Sequence, residues 1–135
     1  MHELVLRINE PDKCYVFARN ATRKGHPELA LEAYRRAVDL RAQQHEAGSE
    51  LEFAAVRAIY AYEEALSHTR GKRTRATGTW QMVNRLGPVE AVAKRLSSRN
   101  GEDLTDVLKE MGMEDYTFEA VRAAYPDAFS QQQAA

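Results

Sequence analysis

Leu51, Ala54, Ala55, Ala58, Ile59, Tyr62, Ala65 and Leu66 hold the spacing of one helix face for four turns, the clearest periodic run in the chain. Apolar spacing at i, i+3, i+4 and i+7 recurs almost everywhere else, and alternation of period two is confined to Glu3–Ile8. The predicted fold is therefore all-α, with about seven helices. With 135 residues, the chain is expected to form a single domain.

Local signals divide the helices. Asn9-Glu10-Pro11 opens the first, whose inner face is Cys14, Phe17, Ala18 and Ala21, and Gly25 ends it. His26-Pro27 opens the second, with an inward stripe of Ala30, Ala33, Tyr34, Ala37 and Arg41. Ser49-Glu50-Leu51-Glu52 fits a capping box for the third, the serine oxygen accepting the Glu52 amide and the glutamate returning to the cap amide. Residues 1–68 are read as a long helical hairpin part and 69–79 as a basic loop. The loop leads into a compact four-helix unit at 80–130 and a frayed tail at 131–135. Within that unit, Trp80, Val83 and Leu86 mark a helix ended by Gly87, and Val89, Val92, Ala93 and Leu96 one opened by Pro88. Leu104, Val107, Leu108 and Met111 mark the next. A last helix, with Asp115 and Thr117 as candidate caps, carries Phe118, Val121 and Tyr125 and stops at Pro126.

Ala30-x-x-Ala33-Tyr34-x-x-Ala37 is matched 28 residues later by Ala58-x-x-Ala61-Tyr62-x-x-Ala65, and small residues beside a tyrosine let helices approach closely. The offsets resemble the second helix of a tetratricopeptide repeat. The spacing departs from the 34-residue period of that family, so a helical hairpin is expected and not a repeat array.

Composition excludes several classes. Hydrophobic residues make up 44% and charged residues 29%, which rules out a disordered or collagen-like chain. No apolar run approaches the roughly 18 residues of a membrane span. Met1–Arg7 lacks the apolar core and cleavage site of a signal peptide, so a cytoplasmic location is expected. The lone Cys14 can form neither an internal disulfide nor a thiolate metal site and is expected to behave as a small core residue. No cofactor or metal is expected.

The formal net charge of −1 hides a strong segregation. Residues 66–100 carry Arg70, Lys72, Arg73, Arg75, Arg85, Lys94, Arg95 and Arg99 against the single acid Glu90, a net of +7. Residues 1–65 are net −2 and 101–135 net −6. A local excess of positive charge attracts polyanions whatever the total. The plainer alternative is that the basic segment packs beside the acidic tail of its own or a neighbouring chain.

The stretch from Thr69 to Trp80 joins four basic side chains, four threonines and two glycines just before a helix. Guanidinium groups, hydroxyls, glycine-exposed amides and a helix N-terminus all serve phosphate. Neither a P-loop nor a dinucleotide fingerprint is present, which favours an extended polyanion site over a nucleotide pocket. Thr79–Ser98 can be laid out as helix, turn, helix about Gly87, with Lys94, Arg95 and Arg99 outward on the second helix and Arg85 on the first. Glu90 at the start of that helix, and the lack of an Asn or Gln to read adenine, favour backbone contact over base reading.

Thr74-Arg75-Ala76 with Thr79-Trp80-Gln81-Met82, and Met111-Gly112-Met113-Glu114-Asp115 with Phe118-Glu119-Ala120-Val121, are similar to a module of uncharacterised bacterial proteins. The resemblance implies only that Gly71–Ser130 forms a unit. Arg41-Ala42-Gln43-Gln44-His45 resembles the Arg and His pairing of helical ribonucleases of the HEPN type, with three intervening residues where that family has four to six, so the activity is not carried over. Glu64 and His68, four apart on one helix face, read as an exposed ion pair in the absence of a third ligand. Trp80 reads as a core anchor.

The expectation is a non-catalytic nucleic-acid-binding protein, with DNA preferred to RNA, that uses the basic loop and the helix-turn-helix-like pair. The rival is a protein-interaction module in which the Ala and Tyr faces of the hairpin, or the charged halves, dock a partner or a second copy as a homo-oligomer, the basic segment then meeting an acidic protein surface. No membrane partner is expected.

Overall fold

The computed structural model describes residues 1–98 and 103–134, with side chains as far as Ser130, and every regular element among them is helical. Expected site residue Arg99 lies outside the described residues. The alternating stretch near the N-terminus forms a one-turn helix, α1 (Glu3–Leu6), capped by the His2 ring, which accepts the Leu4 amide at 3.1 Å. Helices α2 (Pro11–Arg23) and α3 (Pro27–Gln44) both place proline in the first turn, where its missing N–H costs nothing. They pack through Ala18 and Ala21 against Ala30 and Ala33, and then through Cys14 against Ala37 and Leu40. The small side chains permit the close approach that the paired pattern implied.

Helix α4 (Glu50–Arg70) is the spine of the main core. It packs against α3 on one side, and on the other against α6 (Pro88–Ser97), α7 (Thr105–Glu110), the 3-10 turn Glu114–Tyr116 and α8 (Phe118–Ala124). Helix α5 (Thr77–Leu86) packs on α6, and α9 (Pro126–Ala134) on α6 and α8. One continuous cluster of buried side chains runs from Val38 through Val56 and Ile59 to Trp80, Val92, Leu108, Val121 and Phe129. The hairpin proper is thus α2 and α3, while α4 belongs equally to the C-terminal helices. That explains why its apolar face is the widest in the chain.

Three local expectations need correction. Ser49 Oγ does accept the Glu52 amide at 3.1 Å, but the Glu52 carboxylate accepts the amide of Gly48 at 3.0 Å, one residue before the cap. Thr117 caps α8, accepting the Ala120 amide at 3.1 Å, whereas Asp115 is taken up by Arg35 at 3.0 and 2.8 Å. Pro126 stops α8 and also opens α9, so residues 131–134 continue a helix where a frayed tail was expected. This raises the number of α-helices among the described residues to nine. None of them is long and apolar enough to cross a membrane.

The Arg35 guanidinium also donates to the Gly112 carbonyl and lies 4.4 Å from the centre of the Tyr116 ring. Arg57 covers the same ring at 4.1 Å, and the Tyr116 hydroxyl donates to Asp39 at 2.5 Å. This polar cluster ties α3 and α4 to the 3-10 turn and uses charges that sequence periodicity assigns to solvent.

Candidate nucleic-acid interface

Two adjacent glutamates in the last third of α4 organise the basic loop. Glu63 and Glu64 are 8% and 2% exposed, so each needs partners to offset the loss of water. Glu63 Oε2 accepts the backbone amide of Ala76 at 2.8 Å and the indole N–H of Trp80 at 2.6 Å. Glu64 accepts two hydrogen bonds from Arg73, at 2.9 and 2.5 Å, and one from the Tyr15 hydroxyl at 3.3 Å. The chain can turn back over these carboxylates because Gly71 ends α4 in the left-handed region, φ 70°, which residues with a Cβ adopt at a cost. Ser67 closes the loop, its hydroxyl accepting the Thr74 amide at 2.9 Å.

Arg73 therefore faces inward. Its guanidinium lies 4.0 Å from the centre of the Tyr15 ring, and Arg41 donates to the Tyr15 hydroxyl at 2.9 Å. Burial and the neighbouring Glu64 carboxylate push the Tyr15 phenol up to about 12. For Arg73, burial alone lowers the pKa, but the bonds to Glu64 outweigh it and the guanidinium is held above its ordinary value. The expected Glu64 and His68 ion pair does not form: Glu64 is buried under Arg73 and His68 is exposed. Arg41 and His45 likewise have separate partners, His45 stacking on Trp80 at 5.7 Å. Trp80 is buried, as the sequence implied, with Tyr60 4.7 Å away. Cys14 is fully buried, and burial pushes its thiol up to about 11.

The remaining cations sort into two groups. Arg70, Lys72, Arg75, Arg85 and Lys94 are exposed. Arg75 approaches Glu63 only at 3.9 Å and keeps 77% of its side chain in solvent. Arg95, expected outside, is half-buried: its guanidinium lies 4.6 Å from the Tyr62 ring centre and 5.8 Å from that of Phe118. Its stem and charge thus help to seal α6 against α4 and α8.

A groove of about 550 Å³ runs between α5 and α6, lined by Gly78, Thr79 and Met82 on one side and Lys94, Arg95 and Ser97 on the other. No carboxylate lines it among the described residues. Gly87, at φ 90° and ψ 162°, makes the turn that lays the C-terminal half of α6 beside the start of α5. Lys94 and Arg95 line the groove itself, while Arg85, on the same face of α5 as Gly78 and Met82, lies about one turn beyond Met82 toward Gly87. Ala76, which also lines the groove, follows Arg75 directly. The two helices and the loop thus form a connected basic surface, within which the guanidinium groups of Arg73 and Arg95 are held against Glu64 and Tyr62.

Sequence reading missed Glu63 and Tyr15, and considered Glu64 and Arg41 only beside His68 and His45. The available signal was two consecutive acids set between Tyr62 and Ala65 in the most regular helix, since burial there tolerates only partnered charges. No family model matches the chain, and no curated protein and no solved structure is similar to it.

Proposed function

We propose that this protein binds the phosphate backbone of a nucleic acid, duplex DNA in preference to RNA, through Arg70, Lys72, Arg75, Arg85 and Lys94. The observation that supports the reading best is the α5/α6 groove. It is lined by Lys94 and Arg95, has no carboxylate among its described lining residues, and adjoins the exposed part of the basic loop at Ala76. Glu63 and Glu64, the acids nearest the loop, are buried and hydrogen-bonded, so the outward field of this region is set by the cations. Lysine and arginine heads spaced along a loop and a groove suit a repeating phosphate chain better than a compact ligand. Glu90 lies one turn before Lys94 on α6, which favours contact to the backbone over insertion of that helix between base edges.

The rival reading, a partner docked on the Ala and Tyr faces of the hairpin, has less support. Ala30, Ala33, Ala37, Ala58, Ala61 and Ala65 are all at most 3% exposed and are spent on packing within the chain.

The test is fluorescence anisotropy of a labelled duplex, with 5′-hydroxyl ends, at several salt concentrations. Parent affinity should fall steeply with salt. Changing Arg70, Lys72 and Arg75 together to Gln should reduce the slope of log affinity against log salt by about three, one for each phosphate that is no longer neutralised. A triple variant with parent-like affinity and normal melting would sink the proposal.

A further inference from the structure

At the start of the basic loop, a cavity of about 240 Å³ lies between α3, the end of α4 and the loop, lined by Tyr34, Glu64, Ser67, His68, Lys72 and Arg73. Ser67 is occupied by Thr74, and Arg73 neutralises Glu64. That leaves the Tyr34 hydroxyl, the His68 ring and the Lys72 ammonium, none of which makes a side-chain hydrogen bond or ion pair among the described residues. Three donor-bearing side chains from three different elements therefore line one small space whose only carboxylate among the described residues, Glu64, is already paired.

From this juxtaposition we infer that the cavity is a binding site for a phosphate monoester group, separate from the phosphodiester contacts of the groove. The donor chemistry selects the ligand. A planar carboxylate is best met by the two parallel N–H groups of a free guanidinium, and here Arg73 spends that fork on Glu64. Single-point donors arriving from three directions instead match the oxygens of a tetrahedral anion, with Lys72 as the compact cation. The C-terminal end of α4 carries partial negative charge, so cationic and donor side chains must hold the anion. The site is a cavity set apart from the α5/α6 groove; it shares Lys72 with the proposed backbone surface, and inorganic phosphate tests it with no duplex present. Its ligand is either a small phosphorylated molecule or the phosphorylated end of a nucleic acid strand.

Two arms of one experiment separate these sources. Inorganic phosphate is titrated into the full chain by calorimetry, with nitrate as the control anion. Separately, a single-stranded oligonucleotide is compared with and without a 5′-phosphate. Saturable phosphate binding that falls about tenfold or more in Lys72→Gln, and severalfold in Tyr34→Phe, with Lys109→Gln on the exposed side of α7 behaving like the parent, establishes the site. A gain in affinity from the 5′-phosphate then assigns a strand end, and equal affinity with and without it assigns a small molecule. If inorganic phosphate does not saturate and the 5′-phosphate adds nothing, or if Lys72→Gln and Tyr34→Phe bind as the parent does, the inference is overturned. The phosphate arm contains no nucleic acid, so it is decided independently of duplex binding.

Discussion

Arg73 holds both carboxylate oxygens of Glu64, at 2.9 and 2.5 Å, with its guanidinium lying 4.0 Å from the centre of the Tyr15 ring. The bridge joins the basic loop to α4 and α2 and converts one of four neighbouring cations into a structural element. Its energetics follow from asymmetry: the Glu64 side chain is 3% exposed and that of Arg73 50%. Removing Arg73 strands a buried carboxylate with only the Tyr15 hydroxyl as partner.

Arg73→Ala should therefore destabilise the protein by about 2 to 3 kcal/mol, below the full cost of breaking a buried pair because Arg73 is half in solvent. Arg70→Gln, Lys72→Gln and Arg75→Gln should each stay within about 0.5 kcal/mol of the parent. Urea unfolding of the four single variants checks this. Four equal midpoints would contradict the internal role of Arg73.

Lys94 and Arg95 are adjacent on α6 but should behave differently. Lys94→Ala should leave unfolding unchanged and lower the salt slope of DNA binding by about one. Arg95→Ala removes packing and a cation over Tyr62 and should cost roughly 1 to 2 kcal/mol in stability, with little change in the slope. Thermal melts and anisotropy on the same two preparations separate the roles. The reverse pattern would mean that Arg95 swings out to meet DNA.

The two tyrosines of the repeated Ala and Tyr pattern are not equivalent in the fold. Tyr62 is 8% exposed, with Phe118 5.6 Å away, whereas Tyr34 is only half-buried at the edge of the phosphate-sized cavity. Tyr62→Ala should cost about 3 to 5 kcal/mol and Tyr34→Ala about 1 to 2 kcal/mol. Chemical denaturation measures both. Equal losses would show that Tyr34 is buried more deeply than its surroundings indicate.

Alkaline pH should unfold the protein through its buried phenols. Burial and the Glu64 carboxylate raise Tyr15 to about 12, and burial and the hydrogen bond to Asp39 raise Tyr116 to about 12. Since both values exceed that of an unfolded tyrosine, the stability they contribute is complete below about pH 10 and is lost as pH rises toward 12. Phenolate absorbance should show Tyr15 and Tyr116 titrating late, with Tyr60 also raised by burial, together with loss of helical circular dichroism. Replacing Tyr116 by Phe should remove part of that pH dependence. If all six tyrosines titrate near pH 10 with the helices intact, the polar clusters around Tyr15 and Tyr116 are absent in solution.

What the sequence determined by itself is the helical class, most helix starts and stops, and the inward faces. These rest on interactions within one or two turns: proline in first turns, Gly25 and Gly87 at ends, Ser49 and Thr117 as caps, and apolar periodicity along α4. The concentration of positive charge between residues 66 and 100 was equally legible, because it is a count. Tertiary structure alone decided which of those charges face water. Arg73 meets Glu64 nine residues away, Tyr15 meets Glu64 across 49 residues and Arg35 meets Asp115 across 80, and no local pattern encodes such pairings. A charged residue reads as exposed until a partner reaches it, and whether one does depends on helix packing. The same packing set the core: α4 buries almost its whole circumference only because α3 covers one side and α6, α7 and α8 the other, which makes two consecutive glutamates interior and fixes the loop they hold.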